Sequence, residues 1–218
     1  MTVSTAKLAQ GASLSIAGTP GTTLTATAVT KAAGAVVSCA SPPAVGTIVV
    51  CLTATAMPEL VGRVAEVTSI SAGVSFTLNL DSSAFAAAAT AATFAPQTWT
   101  KVANAKDFNA LTGTTSKIDV TNLDSAAMEY VAGLEDFGGV SGSFDLDGSD
   151  AGQIALAKAK SNQTSTYFKL TYPKAASINR AFGGFVTKLD EAGSVNNVLR
   201  QTFELQITGR VSRTEVVV

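Results

Sequence analysis

Apolar and polar positions along this chain alternate mostly with a period of two, in short runs broken by turn residues. Leu8, Gln10, Ala12, Leu14 and Ile16 share one side of a first strand, which "TPGTT" then interrupts. From about 22 to 94 short strand-like runs recur between turns: "TLTATAVTK", "AVVSCA", "GTIVVCLT", "GRVAEVTSI" and "VSFTLNL". Val74, Phe76, Leu78 and Leu80 mark a core face in the last of them. Strands this short and closely spaced predict a small all-β barrel or sandwich. The stretch ends in "SSAFAAAATAAT", which by composition reads as a linker.

Beyond it, "QTWTKVANAKDF" and "TTSKIDVTNLDS" are expected as strands, followed by an acidic, Gly-rich loop over Ala127–Gly139. "GGVSGSFDLD" alternates cleanly, with Val140, Phe144 and Leu146 on one face and Ser141, Ser143, Asp145 and Asp147 on the other. The one helical pattern, near 150–162, starts at Asp150 as N-cap, with Gln153 placed to complete a capping box. Ile154, Ala157 and Ala151 suggest its apolar side, and Lys158 and Lys160 suit the negative end of its dipole. In the final run Leu199, Phe203, Leu205 and Ile207 face one way, and Arg200, Thr202, Glu204, Gln206, Thr208 and Arg210 the other. A lone N-terminal strand cannot bury its apolar face, so residues 1–21 are expected to rejoin 95–218, making 22–94 an insertion.

The composition fits this β-rich plan. Only 14% of the 218 residues are charged and the formal net charge is −1. An isolated soluble domain usually shows more charge, so surface buried against other subunits is expected. Near-neutrality removes any electrostatic case for gripping duplex DNA. The longest weakly polar runs are too short for a transmembrane helix, and "MTVSTAKLAQGASLSIAG" lacks the charged start and apolar stretch of a signal peptide. Cytoplasmic synthesis is the expectation.

Candidate chemistry is sparse. The sequence contains no histidine, which removes Ser–His–Asp and Cys–His arrangements. Glu135–Asp136 and Asp190–Glu191 are adjacent pairs rather than carboxylates facing across a cleft. "DLDGSD" resembles part of a calcium loop, but Ile154 stands where the bidentate Glu belongs. No catalytic residue, metal ligand or cofactor is expected. Cys39 and Cys51 lie in strand-like runs where a cross-strand bridge is conceivable; two small buried reduced thiols are the favoured reading.

One ordered set of residues carries a resemblance. Gly133, Leu134, Asp136, Ser141, Gly142, Phe144, Asp145, Asp150, Gly152 and Gln153, followed by "YFKLTYP", "GGFV" and "QTFELQITGRV", resemble the major tail tube proteins of long-tailed bacteriophages. The middle is similar to an FCCH-like small β module found inserted in phage tail proteins. It shares Met57, Glu59, Leu60, Gly62, Arg63 and Val67, then Phe76, Thr77 and Leu78, then Asp81, Ser82, Ser83 and Phe85. It departs at Val61, Ala65 and Ser83–Ala84, and implies no ubiquitin chemistry.

The resemblance implies a mainly β tail-tube sandwich or barrel with one flanking helix, plus an inserted small all-β domain. It implies a non-enzymatic virion subunit, assembled in a bacterial cytoplasm into stacked hexameric rings that conduct DNA. A tape measure protein and a tail terminator are its implied partners. Met128, Tyr130, Leu134 and Phe137 are then candidates for inter-subunit contact, as are arms at Met1–Leu8 and Arg213–Val218. Ser141, Ser143, Asp145 and Asp147 are lumen-facing candidates, an ordinary solvated face being the alternative. A tail-exposed or extracellular adhesin contacting host glycans is the competing reading.

Overall fold

A computed structural model describes residues 10–124, 126–172 and 178–213. The proposed arm Met1–Leu8 lies outside them, as does 214–218 of the C-terminal arm. The chain opens with β1 (Ser13–Ala17). Seven short strands follow: β2 (Leu24–Ala26), β3 (Ala28–Val29), β4 (Val36–Ser38), β5 (Ile48–Thr55), β6 (Val64–Ser71), β7 (Ser75–Leu78) and β8 (Ala91–Pro96). Then come β9 (Trp99–Lys101), β10 (Ala105–Ala110), β11 (Thr114–Asp119), β12 (Tyr130–Asp136) and β13 (Gly139–Asp145). Helix α1 (Ala151–Ser161), β14 (Thr166–Tyr172), β15 (Ile178–Ala192) and β16 (Arg200–Arg213) complete the described chain.

The strands β2 to β8 form one sheet, ordered β2-β8-β5-β6-β7-β4-β3. Only Thr27 separates β2 from β3, and Val29 exchanges backbone hydrogen bonds with Ala89 just ahead of β8 (2.9 and 3.0 Å). The sheet therefore returns on itself as a small barrel, leaving little free edge. Phe76 and Phe94 meet edge to face at its centre, 5.8 Å between centroids.

Several expectations change here. The Ala-rich stretch is not a linker: Phe85, Ala89, Ala92 and Phe94 are buried in the barrel core, and β8 lies between β2 and β5. Small side chains read as linker by composition, but next to phenylalanines they fill a narrow barrel. Val74 sits exposed in the turn before β7 rather than on the core face. Cys39 and Cys51 are both buried and free. β4 and β5 are not neighbours, being separated by β7 and β6. Burial raises the Cys51 thiol to about 11, so it stays protonated.

The second seven-stranded sheet runs β10-β13-β16-β15-β14-β1-β9. β1 pairs with both β14 and β9, so the first strand does rejoin the later chain. Four strand spacings separate β10 from β14, about 19 Å if the sheet were flat. Phe108 of β10 nevertheless lies 5.8 Å from Tyr172 of β14, centroid to centroid, so the sheet is strongly curled. Its concave side holds one core, with Leu14, Ile16, Val140, Phe144, Phe168, Phe182, Phe203 and Leu205 all buried.

Helix α1 lies against β1, β9 and β15. Asp150 caps it, its carboxylate accepting from Gln153 N at 2.8 Å. The capping box is not completed, because the Gln153 side chain binds elsewhere. Its Oε1 accepts from Asp147 N and its Nε2 donates to Ala103 O and Asp145 O. The buried face is Gly152, Gln153, Leu156 and Ala159, while Ile154 and Ala157 face solvent. The buried stripe differs from the expected one because Gln153, polar by type, is a buried connector. Gly152 is required: a Cβ there would strike the backbone carbonyl of Lys101.

The expected strand 97–108 is split into β9 and β10. The expected acidic loop is in large part a strand, since β12 pairs with β11 in a two-stranded hairpin. Leu199 lies ahead of β16 and is exposed.

Candidate assembly interface

Three of the four contact candidates lie on or beside the β11–β12 hairpin and face solvent: Leu134 is 90% exposed, Met128 70% and Tyr130 49%. Ile118, Val120, Leu123 and Val131 add further exposed apolar surface there. An isolated two-stranded ribbon is marginal by itself. This one is tied to the body by Phe137, which packs against the main core rather than facing outward. Asp136 reinforces the base, accepting from Gly138 N at 2.8 Å and Gln206 Nε2 at 3.3 Å. The hairpin segment carries five carboxylates (Asp119, Asp124, Glu129, Glu135, Asp136) and one cation, Lys117, which lies over the Tyr130 ring.

The lumen candidates lie on the convex face of β13, beside β10 and β16. Cross-strand register places Ser141 opposite Glu204, Ser143 opposite Thr202 and Asp145 opposite Arg200. Ser143 is buried there, its hydroxyl donating to Asp107 at 3.0 Å. Asp145 bridges Lys106 Nζ at 2.7 Å and Arg200 Nε at 3.5 Å. The Lys106 hydrogen bond is the main cause holding the Asp145 carboxyl below its usual range. Lys188 likewise joins Asp190 and Glu204. Asp147 belongs to the turn before α1, accepting from Ser149 N and Oγ, and is not part of the strand face.

The barrel packs on the convex face of the other half-sheet. Ile48, Val50 and Val64 of the barrel bury Ala181, flanked by Trp99 and Tyr167. Around them Tyr167 donates to Gly62 O, Asn179 to Glu66 and Ser212 to Asn79. Lys169 lies 5.1 Å above the Trp99 ring, and burial lowers its pKa. Sequence alone gave no sign of this contact, because these residues alternate as ordinary half-polar strands.

Residues 81–178 match the model of a family described as phage tail tube, lambda-like. That stretch, a little under half of the chain, is similar to phage tail tube proteins. The match starts in the last part of the barrel and runs through β13, α1 and β14 of the curled sheet. The FCCH-like character of the barrel has no counterpart in this match. Among curated proteins there is no match.

Solved structures similar to this chain include the tail of an empty GTA particle with C6 symmetry. It is 20% identical, with TM-score 0.47, over 54% of this chain and 87% of that one. A virion of a native gene transfer agent particle is 18% identical, with TM-score 0.47, over 54% and 89%. An anti-feeding prophage baseplate with sixfold symmetry is 9% identical, with TM-score 0.45, over 56% and 87%. Among the described residues no helix is long and apolar enough to cross a membrane, and no cluster of His, Cys, Asp or Glu is set to hold a metal ion.

Proposed function

We propose that this chain is a tail tube subunit, and that β10, β13, β16 and the Phe185–Ala192 half of β15 form the wall that its copies join into a ring. The observation that carries this is a pair of free edges. Among the described residues β10 has one strand partner, β13. β14 pairs with β15 only as far as Gly184, so beyond it β15 has no strand on that side among the described residues. These four strands alternate in direction, so β10 and β15 are antiparallel. A neighbour's β10 laid on β15 continues the alternation, and closure of a ring removes every free edge. Six copies per ring is the number implied by the tail-tube resemblance.

The convex face of these strands lines the lumen in this reading. Its charges are largely paired within the chain (Lys106, Asp145 and Arg200; Lys188, Asp190 and Glu204), leaving no row of free cations to hold phosphates as DNA passes. Because the sheet is curled, the convex faces of its two halves point away from each other. The barrel, seated on the β9-β1-β14 half, therefore lies on the outer wall. The β11–β12 hairpin reaches a neighbouring subunit. The role is structural rather than catalytic, with the tape measure protein and terminator as expected partners.

Electron cryomicroscopy of purified, polymerised protein tests this. The expected map shows stacked sixfold rings with knobs outside and Ser141 facing the channel. Barrel density within the channel, or protein that stays monomeric at all concentrations, sinks the reading.

A further inference from the structure

Beside the free edge of β15 lies a groove of about 480 Å³, lined by Lys160, Gln163, Phe185, Val186 and Thr187. Phe185 is 37% exposed within it. Lys160 donates to Thr187 O at 2.5 Å, so its ammonium is held at the groove wall. Lys158 and Lys160 are exposed, and no carboxylate pairs with either among the described residues. The hairpin is the complement: exposed apolar side chains, and Glu129 and Glu135 with no cation partner among the described residues.

Strand direction brings the two together. β10 runs from Ala105 to Ala110 and then leads into the hairpin, while β15 runs from Phe185 toward Ala192 along its free edge. A neighbour's β10 laid antiparallel on that edge ends toward Phe185. Its hairpin thus leaves the seam at the end where Lys160 and Phe185 sit.

We infer that the groove between α1 and β15 is the receptor for the β11–β12 hairpin of a second copy, with Lys158 and Lys160 facing the hairpin carboxylates and Phe185 facing its apolar side chains. The inference rests on the ring seam proposed above. The contact is heterologous, since one copy gives the hairpin and the next gives the groove, so it propagates around a ring. Like charges brought together at such a contact are strongly unfavourable.

The test is a charge swap in the full chain. K158E/K160E raises the critical concentration for tube assembly about tenfold or more, by the cost of like charges at an interface. Adding E129K/E135K to the same chain restores assembly. Both lysines also suit the helix dipole, so thermal melting of the monomer is followed in parallel, and both variants must stay folded at the assay temperature. Folded K158E/K160E that assembles like wild type, or a folded fourfold variant without rescue, overturns the inference while leaving the tube reading intact. Wild-type protein that forms no tubes overturns the tube reading itself.

Discussion

The barrel and the curled sheet use the same number of strands to opposite ends. The barrel hides its edges within one chain, and the exchange between Val29 and Ala89 closes it without help. Among the described residues the curled sheet leaves one edge of β10 and one edge of half of β15 without a strand, and it projects a hairpin whose apolar side chains face solvent. A finished fold has little reason to keep such edges, because they invite association. A polymer subunit needs them. On the proposed seam, one chain holds a self-sufficient unit beside a unit that its own copies complete.

Two excisions should separate these roles most sharply. Replacing residues 114–136 with a short Gly-containing turn should abolish tubes entirely and leave the monomer's melting transition almost unchanged. Tubes of normal yield would remove the hairpin from assembly. Conversely, joining Gly18 to Gln97 through a short linker should leave a folded, β-rich chain that still polymerises. The two strand ends are already adjacent, with Gly18 N donating to Thr98 O at 2.9 Å. This variant bares Trp99 and Tyr167, so polar replacements there should improve its solubility. An unfolded circular dichroism spectrum would show the barrel to be integral to the fold.

Core truncations come next in size. Phe144→Ala and Phe76→Ala should each cost about 3–5 kcal/mol, the usual range for a buried phenylalanine. Calorimetry should show Phe144→Ala lowering the transition of the curled sheet and Phe76→Ala that of the barrel. Equal shifts of a single transition would mean that the contact around Ala181 fuses them into one cooperative unit.

A smaller loss, about 1 kcal/mol, is expected for Asp150→Ala, which removes the N-cap of α1. Urea denaturation measures it. The smallest effect is a pH dependence. The Asp145 carboxyl titrates below its unfolded value, so its contribution is present above about pH 4 and is lost as pH falls through its lower folded value. Asp145→Asn should flatten acid unfolding in that range and slightly lower stability at neutral pH, where the carboxylate's contribution is present. Lys188, raised mainly by its hydrogen bond to Asp190, behaves oppositely: its contribution is present below about pH 10 and fades above it.

Local pattern determined much of this protein by itself. Alternation placed Val140 and Phe144 against the core and Ser141 and Asp145 on the opposite face, because strand side chains have a period of two wherever the strand lies. Asp150 marked the start of α1, since an N-cap acts within one turn. The ordered residues from Gly133 to Gln153 carried the tail-tube resemblance.

Only the tertiary structure decided what depends on distant partners. Ala89 and Ala92 became core because residues of other strands, Val37, Val67 and Phe76 among them, share one core with them. Gln153 became a buried connector because Ala103 and Asp145 present carbonyls to it. The acidic segment became a ribbon because β11 lies across from it. The free edge of β15 exists because β14 stops at Gly184, and the groove beside it because α1 ends there. None of these is written in the period of any one segment, since each is a contact between residues far apart in the chain.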